Sequence, residues 1–249
     1  MRNVLCIWVL LIFITSCNTE NAPDCFQTTG NIIVSYVEVP EFTRILVNPN
    51  VELILEEGNE TVVRIETGDN LLEEVNAIVN GDQLIISNTN DCNFVRDFNQ
   101  TKVYVTAPDI REIRSATQFD ISSDGVLGYS SLSLLSEDFN EESGNTNGTF
   151  HLEVASENIT IIGNNIASFF ISGEVENLDV QFFSGTGRFE GAGLTTQHVK
   201  IFHRGANKMI VNPQKSIEGE IRSTGDVIAI NIPEIIEVQE FFTGELIFN

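Results

Sequence analysis

The chain has 249 residues, of which 42% are apolar and 20% are charged, a composition typical of folded globular proteins rather than disordered ones. Its 36 acidic residues against 13 basic ones give a formal net charge of −23. Nucleic acid and anionic lipid headgroups are poor partners for such a surface, because both bind clusters of basic residues. We interpret the charge as a soluble exposed surface rather than as a specific cation site.

The first sixteen residues have the features of an export signal. Arg2 supplies a positive start, and the apolar run from Val4 to Ile14 is too short to span a bilayer. The segment Ile14-Thr15-Ser16-Cys17 resembles the lipobox of bacterial lipoproteins. That resemblance implies that Cys17 becomes a lipid-modified N-terminus, whose acyl chains anchor the protein to a membrane. A plain secretory signal cleaved at another site is the alternative.

Cys25 and Cys92 are the two cysteines left when Cys6 departs with the signal and Cys17 is acylated. An even pair in an exported chain predicts a disulfide between Cys25 and Cys92. A zinc site is not expected, because two isolated cysteines without a neighbouring histidine lack a tetrahedral ligand set.

Residues 17–30 are polar and turn-rich and are predicted to form a short tether. Residues 31–108 are predicted to be rich in strands, because apolar and polar residues alternate in several short runs. Asn80-Gly81-Asp82 lies between two such runs and is typical of a hairpin turn. This region either belongs to the same stack of repeats as the C-terminal part of the chain, or forms an antiparallel cap over the open end of that stack.

Residues 109–249 contain internal repeats of about twenty residues, and helical periodicity is not sustained anywhere. Each clear repeat has two large apolar residues seven positions apart, with a turn between them. These pairs are Phe182 and Phe189, Phe202 and Met209, Ile221 and Ile228, and Phe241 and Phe248. Repeats this short must stack to share a core. The first members of the pairs are predicted to form one inward-facing column.

The residue after each member of that column is predicted to face outward, because side chains alternate along a strand. The outward row is then Phe183, His203, Arg222 and Phe242. Such a row could stack on sugar rings or contact a partner protein. The alternative is that the N-terminal region or a loop packs over it.

Turn glycines and apolar spacings recur in a recognisable order along the chain. They include Asp24-Cys25, Phe42-Thr-Arg-Ile45, Leu71-Leu72, Cys92-Asn93, Val103 to Pro108, the later Ser-Gly-x-Gly and Gly-x-Val turns, and Ile232-Pro233. In this order they resemble the auto-transporter adhesin, head GIN domain family of Bacteroidetes, over about residues 30 to 248. The resemblance implies a single-stranded parallel β-helix on an anchored lipoprotein, with no defined ligand or catalytic residues.

The fold class predicted from these observations is all-β: a single-stranded right-handed parallel β-helix (solenoid) with a strand-rich N-terminal cap region. The predicted boundaries are a signal peptide at 1–16, a tether at 17–30, the strand-rich region at 31–108 and the repeats at 109–249.

No catalytic site is predicted, because acid–base catalysis needs paired carboxylates in a groove and no stacked pair recurs at the repeat interval. His151, His198 and His203 lack a metal-binding spacing, so neither a metal nor another cofactor is predicted.

We therefore predict a non-enzymatic, adhesin-like binding module of the cell envelope, attached to the outer membrane only through its lipid. The predicted partner is a glycan or an envelope or host surface protein. The alternatives are a carbohydrate-active β-helix enzyme, such as a polysaccharide lyase or hydrolase, and a purely structural envelope protein.

Overall fold

A computed structural model describes residues 24–139 and 146–249 of the chain. The predicted signal peptide, Cys17 and most of the predicted tether lie outside these ranges. In the described ranges the chain is all-β, with nineteen strands in one sheet and two three-residue 3-10 helices, Asp24–Phe26 and Leu72–Glu74. No helix in this part of the chain is long and apolar enough to cross a membrane.

The strands of the N-terminal half are Ile32–Val37 (β1), Arg44–Val47 (β2), Glu52–Glu57 (β3), Val62–Gly68 (β4), Val75–Asn80 (β5), Gln83–Asn88 (β6), Lys102–Ala107 (β7), Glu112–Ser115 (β8) and Asp120–Leu127 (β9). Those of the C-terminal half are Ser131–Ser136 (β10), Thr149–Gly163 (β11), Ser168–Phe182 (β12), Arg188–Glu190 (β13), Leu194–His203 (β14), Met209–Val211 (β15), Pro213–Ile221 (β16), Val227–Ala229 (β17), Ile235–Glu240 (β18) and Leu246–Phe248 (β19).

The sheet is mixed, because the N-terminal strands pair in both directions. β1 and β7 both run antiparallel to β4, and β5 and β6 form an antiparallel hairpin around Gly81, whose φ is +65°. β3 lies between β7 and β9 and is parallel to both, although neither strand is its neighbour in sequence. β2 lies between β6 and β8 in the same way.

Eleven strands follow one another across the sheet in the order β1, β4, β7, β3, β9, β11, β12, β13, β15, β17, β19. A second path runs through β5, β6, β2, β8 and β10 to the long strand β11, and continues from β12 through β14 and β16 to β18. Inward side chains from both paths contribute to a single core.

The predicted single-stranded right-handed parallel β-helix with a cap is therefore wrong. A solenoid pairs each turn with the next turn in sequence, and all of its strands are parallel. Here antiparallel strands and non-sequential neighbours make a nearly closed, barrel-like sheet of mixed strands. The N-terminal strands do not cap this sheet, because β2 and β3 continue it directly into β8 and β9.

Aromatic rings fill part of the core between the long strands. Phe150 stacks on Phe169 with ring centroids 4.8 Å apart, and Phe169 meets Phe182 at 5.9 Å. All three side chains are fully buried. Burial of rings this large is a major favourable contribution to folding.

The predicted inward column is correct for Phe182 and Ile221, which are fully buried, and wrong for Phe202 and Phe241. The partner of Phe182 on β14 is His203, and the partner of His203 on β16 is Ile221. Phe202 instead pairs with residues 181 and 220 on the outer side, and Phe241 is 51% exposed. A slip of one residue along a strand exchanges the inner and outer faces.

The cause of the slip is a difference in turn length. Phe182 and Phe189, which flank the first turn, are seven residues apart, whereas the buried pairs His203 and Met209, and Ile221 and Val227, are six apart. The predicted second members of the four pairs therefore do not all face the core. Phe189 and Met209 are buried, Ile228 is the outward neighbour of the buried Val227, and Phe248 is partly buried and packs against the core.

His203 is consequently a core residue. Its Nε2–H donates a hydrogen bond to the carbonyl of Asn207 at 2.7 Å, and its ring lies edge-on to Phe182 with centroids 6.0 Å apart. Its other ring nitrogen, Nδ1, has no hydrogen-bond partner among the described residues. Burial lowers the pKa of His203, and the Asn207 carbonyl and the charge of Asp226 oppose that shift.

The stability of the fold is expected to decrease as the pH falls below about 6.5, the ordinary pKa of histidine. The unfolded chain binds a proton there, whereas the folded chain must leave His203 neutral until a lower pH is reached. Urea unfolding between pH 7.5 and 5.5 should show a shallower pH dependence for His203→Gln than for the parent chain. The exposed His151→Gln variant is the control, and equal slopes for both variants would contradict this role of His203.

Candidate functional site

The outer surface of β12, β14, β16 and β18 carries a continuous row of aromatic rings and one guanidinium group, here called the aromatic strip. Its members are Phe139, Phe183, Phe202, Arg222, Phe241 and Phe242. Single exposed apolar residues are ordinary on protein surfaces, but a contiguous patch is typical of a binding site.

Five of the six members of the strip contact one another in sequence. Phe139 meets Phe183 edge-on with ring centroids 5.5 Å apart, and Phe183 meets Phe202 at 5.2 Å. The Cζ atom of Arg222 lies 5.9 Å from the ring centroid of Phe202 and 4.3 Å from that of Phe241. These separations allow aromatic and cation–π attraction, so contacts between its own side chains stabilise the arrangement of the strip.

Strand pairing places Arg222 beside Phe241, whereas Arg204 lies between Phe183 and Arg222 in the same row. The backbone N–H groups of Phe183, Arg222 and Phe241 each donate to a carbonyl of the neighbouring strand. Phe183 and Arg222 each follow the last buried side chain of their own strand, so alternation turns them outward. The strip is therefore built by the ends of successive strands.

An ion pair with Glu220 orients Arg222 within the strip. The hydrogen bond between the two side chains raises the pKa of Arg222 and lowers the pKa of Glu220. Both groups are solvent-exposed, so the pair contributes little to stability. Its effect is to keep the guanidinium beside the rings of Phe202 and Phe241.

The structure changes the composition of the predicted outward row. Phe183, Arg222 and Phe242 lie on the outer surface, and Phe242 is 67% exposed. His203 does not, because it is fully buried in the core. Among the described residues, the alternative that a loop packs over the row is met where Phe139 packs against Phe183.

Sequence reasoning missed three members of the strip: Phe139, Phe202 and Phe241. Phe202 and Phe241 were assigned to the core by a constant repeat length, and the extra residue in the turn after Phe182 has no signature in residue type. Phe139 lies in a segment whose composition indicates only a loop. No sequence signal placed it against Phe183.

Cys25 and Cys92 are joined by a disulfide with a Cα–Cα distance of 4.4 Å. The bond ties the 3-10 helix Asp24–Phe26 to the loop that follows β6. None of the residues of the aromatic strip takes part in this connection.

The described residues contain no group of three or more histidine, cysteine, aspartate or glutamate side chains that could hold a metal ion.

A family model described as "Putative auto-transporter adhesin, head GIN domain" matches residues 41–233. The chain belongs to this family. This confirms the family resemblance found in the sequence motifs. None of the curated proteins compared with the chain matches it significantly.

Solved structures share the fold at low sequence identity. A putative adhesin from Bacteroides fragilis NCTC 9343 is 17% identical, with a TM-score of 0.78, and the match covers 89% of this chain and 99% of that one. A putative lipid binding protein from Parabacteroides distasonis is 12% identical, with a TM-score of 0.62 and coverages of 89% and 98%. A putative adhesin from Parabacteroides merdae is 13% identical, with a TM-score of 0.61 and the same coverages.

Proposed function

We propose that this protein is a non-catalytic, adhesin-like binding module of the cell envelope, and that the aromatic strip is its binding surface. The observation that carries the proposal is the continuous series of contacts from Phe139 to Phe241, in which Arg222 lies beside two of the rings. Membership of an adhesin family and the names of the structural relatives support it. The partner is a glycan or an envelope or host surface protein.

A lipid anchor at Cys17 places the module on the outer membrane in this proposal. The apolar run and the small residues before Cys17 support processing as a lipoprotein. The tether of residues 17–30 then links the acylated cysteine to β1. We expect Cys17→Ser to release the protein from the membrane fraction and to abolish labelling by a palmitate analogue. Retention of both would contradict the anchor.

Variants of the strip test the binding surface directly. Phe202→Ala and Arg222→Ala are each expected to weaken attachment by about tenfold or more, because exposed aromatic and arginine side chains at interfaces carry a large share of binding energy. The measurement is binding of the unlipidated Cys17→Ser chain to arrayed glycans and to isolated envelope and host-cell surfaces.

Phe170→Ala is the matched control for these variants. Phe170 is also a partly exposed phenylalanine and stacks on His151 at 4.9 Å, but it lies on β12 beside β13, outside the strip. Equal losses for Phe170→Ala and Phe202→Ala would contradict the assignment of the strip. Release of new reducing ends from a bound glycan would contradict the absence of catalysis.

A further inference from the structure

We propose that a polar groove beside the aromatic strip binds a neutral oligosaccharide, with one sugar ring on Phe202 and the next in the groove. The inference rests on the proposed function, since it names the ligand class for the same outer face. The groove is formed by Asn177, Asp179, His198, Lys200, Ser216 and Glu218.

The groove is a real depression of the surface, with a volume of about 370 Å³. It lies across β11, β12, β14 and β16, and its side chains alternate with core residues such as Leu178 and Val199. A volume of this size falls within the range of small-molecule sites. Rigid strands hold its walls, so little ordering is needed on binding.

One row of the groove is already hydrogen-bonded. The amide of Asn177 donates to the side-chain oxygen of Asn158 at 3.1 Å, and Nδ1 of His198 is hydrogen-bonded to the hydroxyl of Ser216 at 2.8 Å. These contacts fix the orientation of the side chains. The remaining donors and acceptors of the amides, the ring and the hydroxyl are available to a ligand.

The second row alternates in charge and keeps unused hydrogen-bonding capacity. Asp179, Lys200 and Glu218 are cross-strand neighbours on β12, β14 and β16. Among the described residues Lys200 and Glu218 form no ion pair or side-chain hydrogen bond. Asp179 accepts a hydrogen bond from the amide of Gln181 through Oδ2 at 2.8 Å, whereas its Oδ1 is buried beneath the surface. The row thus offers an ammonium donor and a carboxylate acceptor, beside a carboxylate that already accepts one hydrogen bond.

Sugar hydroxyls match this pattern because each hydroxyl both donates and accepts a hydrogen bond. An anionic saccharide is disfavoured, because the row has two carboxylates to one ammonium and the whole chain carries a charge of −23. An acyl chain is disfavoured, because it would bury the charged groups of Asp179, Lys200 and Glu218 against hydrocarbon.

The groove and the strip form one surface. Phe202 lies two residues from Lys200 along β14, which places the ring about 7 Å from the groove on the same face of the sheet. An aromatic ring beside a set of polar groups is suited to a sugar, whose ring face is apolar and whose edge is hydroxylated. A linear chain can therefore contact both parts at once.

The test is isothermal titration calorimetry of the full chain with linear gluco-, manno- and xylo-hexaose, each β-1,4-linked, and with polygalacturonate as the anionic comparison. At least one neutral hexasaccharide is expected to bind. The double variant Asp179→Ala with Lys200→Ala and the single variant Phe202→Ala should each weaken it by about tenfold or more. Glu174→Ala with Lys215→Ala, which removes one acid and one base outside the groove, should leave the affinity unchanged.

Binding of polygalacturonate in preference to all three neutral chains would overturn the inference. The inference would also be overturned if the Asp179/Lys200 double variant bound a neutral hexasaccharide as tightly as the parent chain. If no neutral chain binds but Phe202→Ala still weakens attachment to envelope or host surfaces, the inference fails and the proposed function stands. If Phe202→Ala weakens neither the binding of a neutral oligosaccharide nor the attachment to envelope or host surfaces, the inference and the proposed function both fail.

Discussion

Truncating Phe182 to alanine is expected to lower the free energy of unfolding by about 3–5 kcal/mol, the usual cost of deleting a buried phenylalanine. The ring is fully buried and packs between Phe169 and His203. Its removal leaves a cavity that strands paired on both sides cannot easily close. Equilibrium urea unfolding of Phe182→Ala measures the loss.

Phe202→Ala is the matched comparison, since Phe202 lies on the neighbouring strand and faces outward. Its truncation removes contacts with Phe183 and Arg222 and should cost about 1 kcal/mol. The difference between the two variants tests the register of the sheet. A loss for Phe202→Ala as large as that for Phe182→Ala would favour the constant twenty-residue repeat instead.

Removal of the disulfide by Cys25→Ser with Cys92→Ser is expected to destabilise the fold by about 4 kcal/mol on the chain-entropy model. The cysteines are 67 residues apart, so the bond closes a long loop of the unfolded chain. It also holds the start of the described chain against the loop after β6, where the N–H of Phe94 donates to the carbonyl of Cys25 at 3.0 Å.

Reductant provides the control for the disulfide. Dithiothreitol should shift the urea midpoint of the parent chain toward that of the double serine variant and leave the variant itself unchanged. Non-reducing peptide mapping should recover the peptides of Cys25 and Cys92 as one cross-linked species. Two free thiols in the purified exported protein would contradict the pairing.

Local sequence signals were sufficient for several parts of the structure. The Asn80-Gly81-Asp82 turn specified the hairpin between β5 and β6, because glycine adopts the positive φ that a tight turn needs. Period-two alternation located strands such as β3 and β7. The cysteine count in an exported chain indicated the disulfide. Each of these signals depends on residues close in sequence or on a simple count.

The arrangement of the strands depends on contacts that no local signal encodes. β3 joins β7 and β9 across separations of about 50 and 68 residues, and alternation gives neither the partner nor its direction. Alternation is the same in parallel and antiparallel strands. A strand whose sequence resembles one turn of a solenoid can therefore lie between two strands that are distant from it in sequence.

The outward row was predicted only in part, because its composition depends on the length of one turn. Phe183 and Arg222 were placed correctly on the outer surface, but a single additional residue between Phe182 and Phe189 exchanged the positions of Phe202 and His203. The polar groove was missed for a different reason. Its members are spread over β12, β14 and β16, and only the pairing register brings Asp179, Lys200 and Glu218 together.

Photo-crosslinking from the strip tests the central claim most directly, namely that this outer face meets the partner. A benzoylphenylalanine placed at Phe202 in the full chain, irradiated in intact cells that present the partner, is expected to form a covalent adduct. The same probe at Phe170, on the outer surface away from the strip, is expected to form none. Equal labelling from both positions, or labelling only from position 170, would contradict the account.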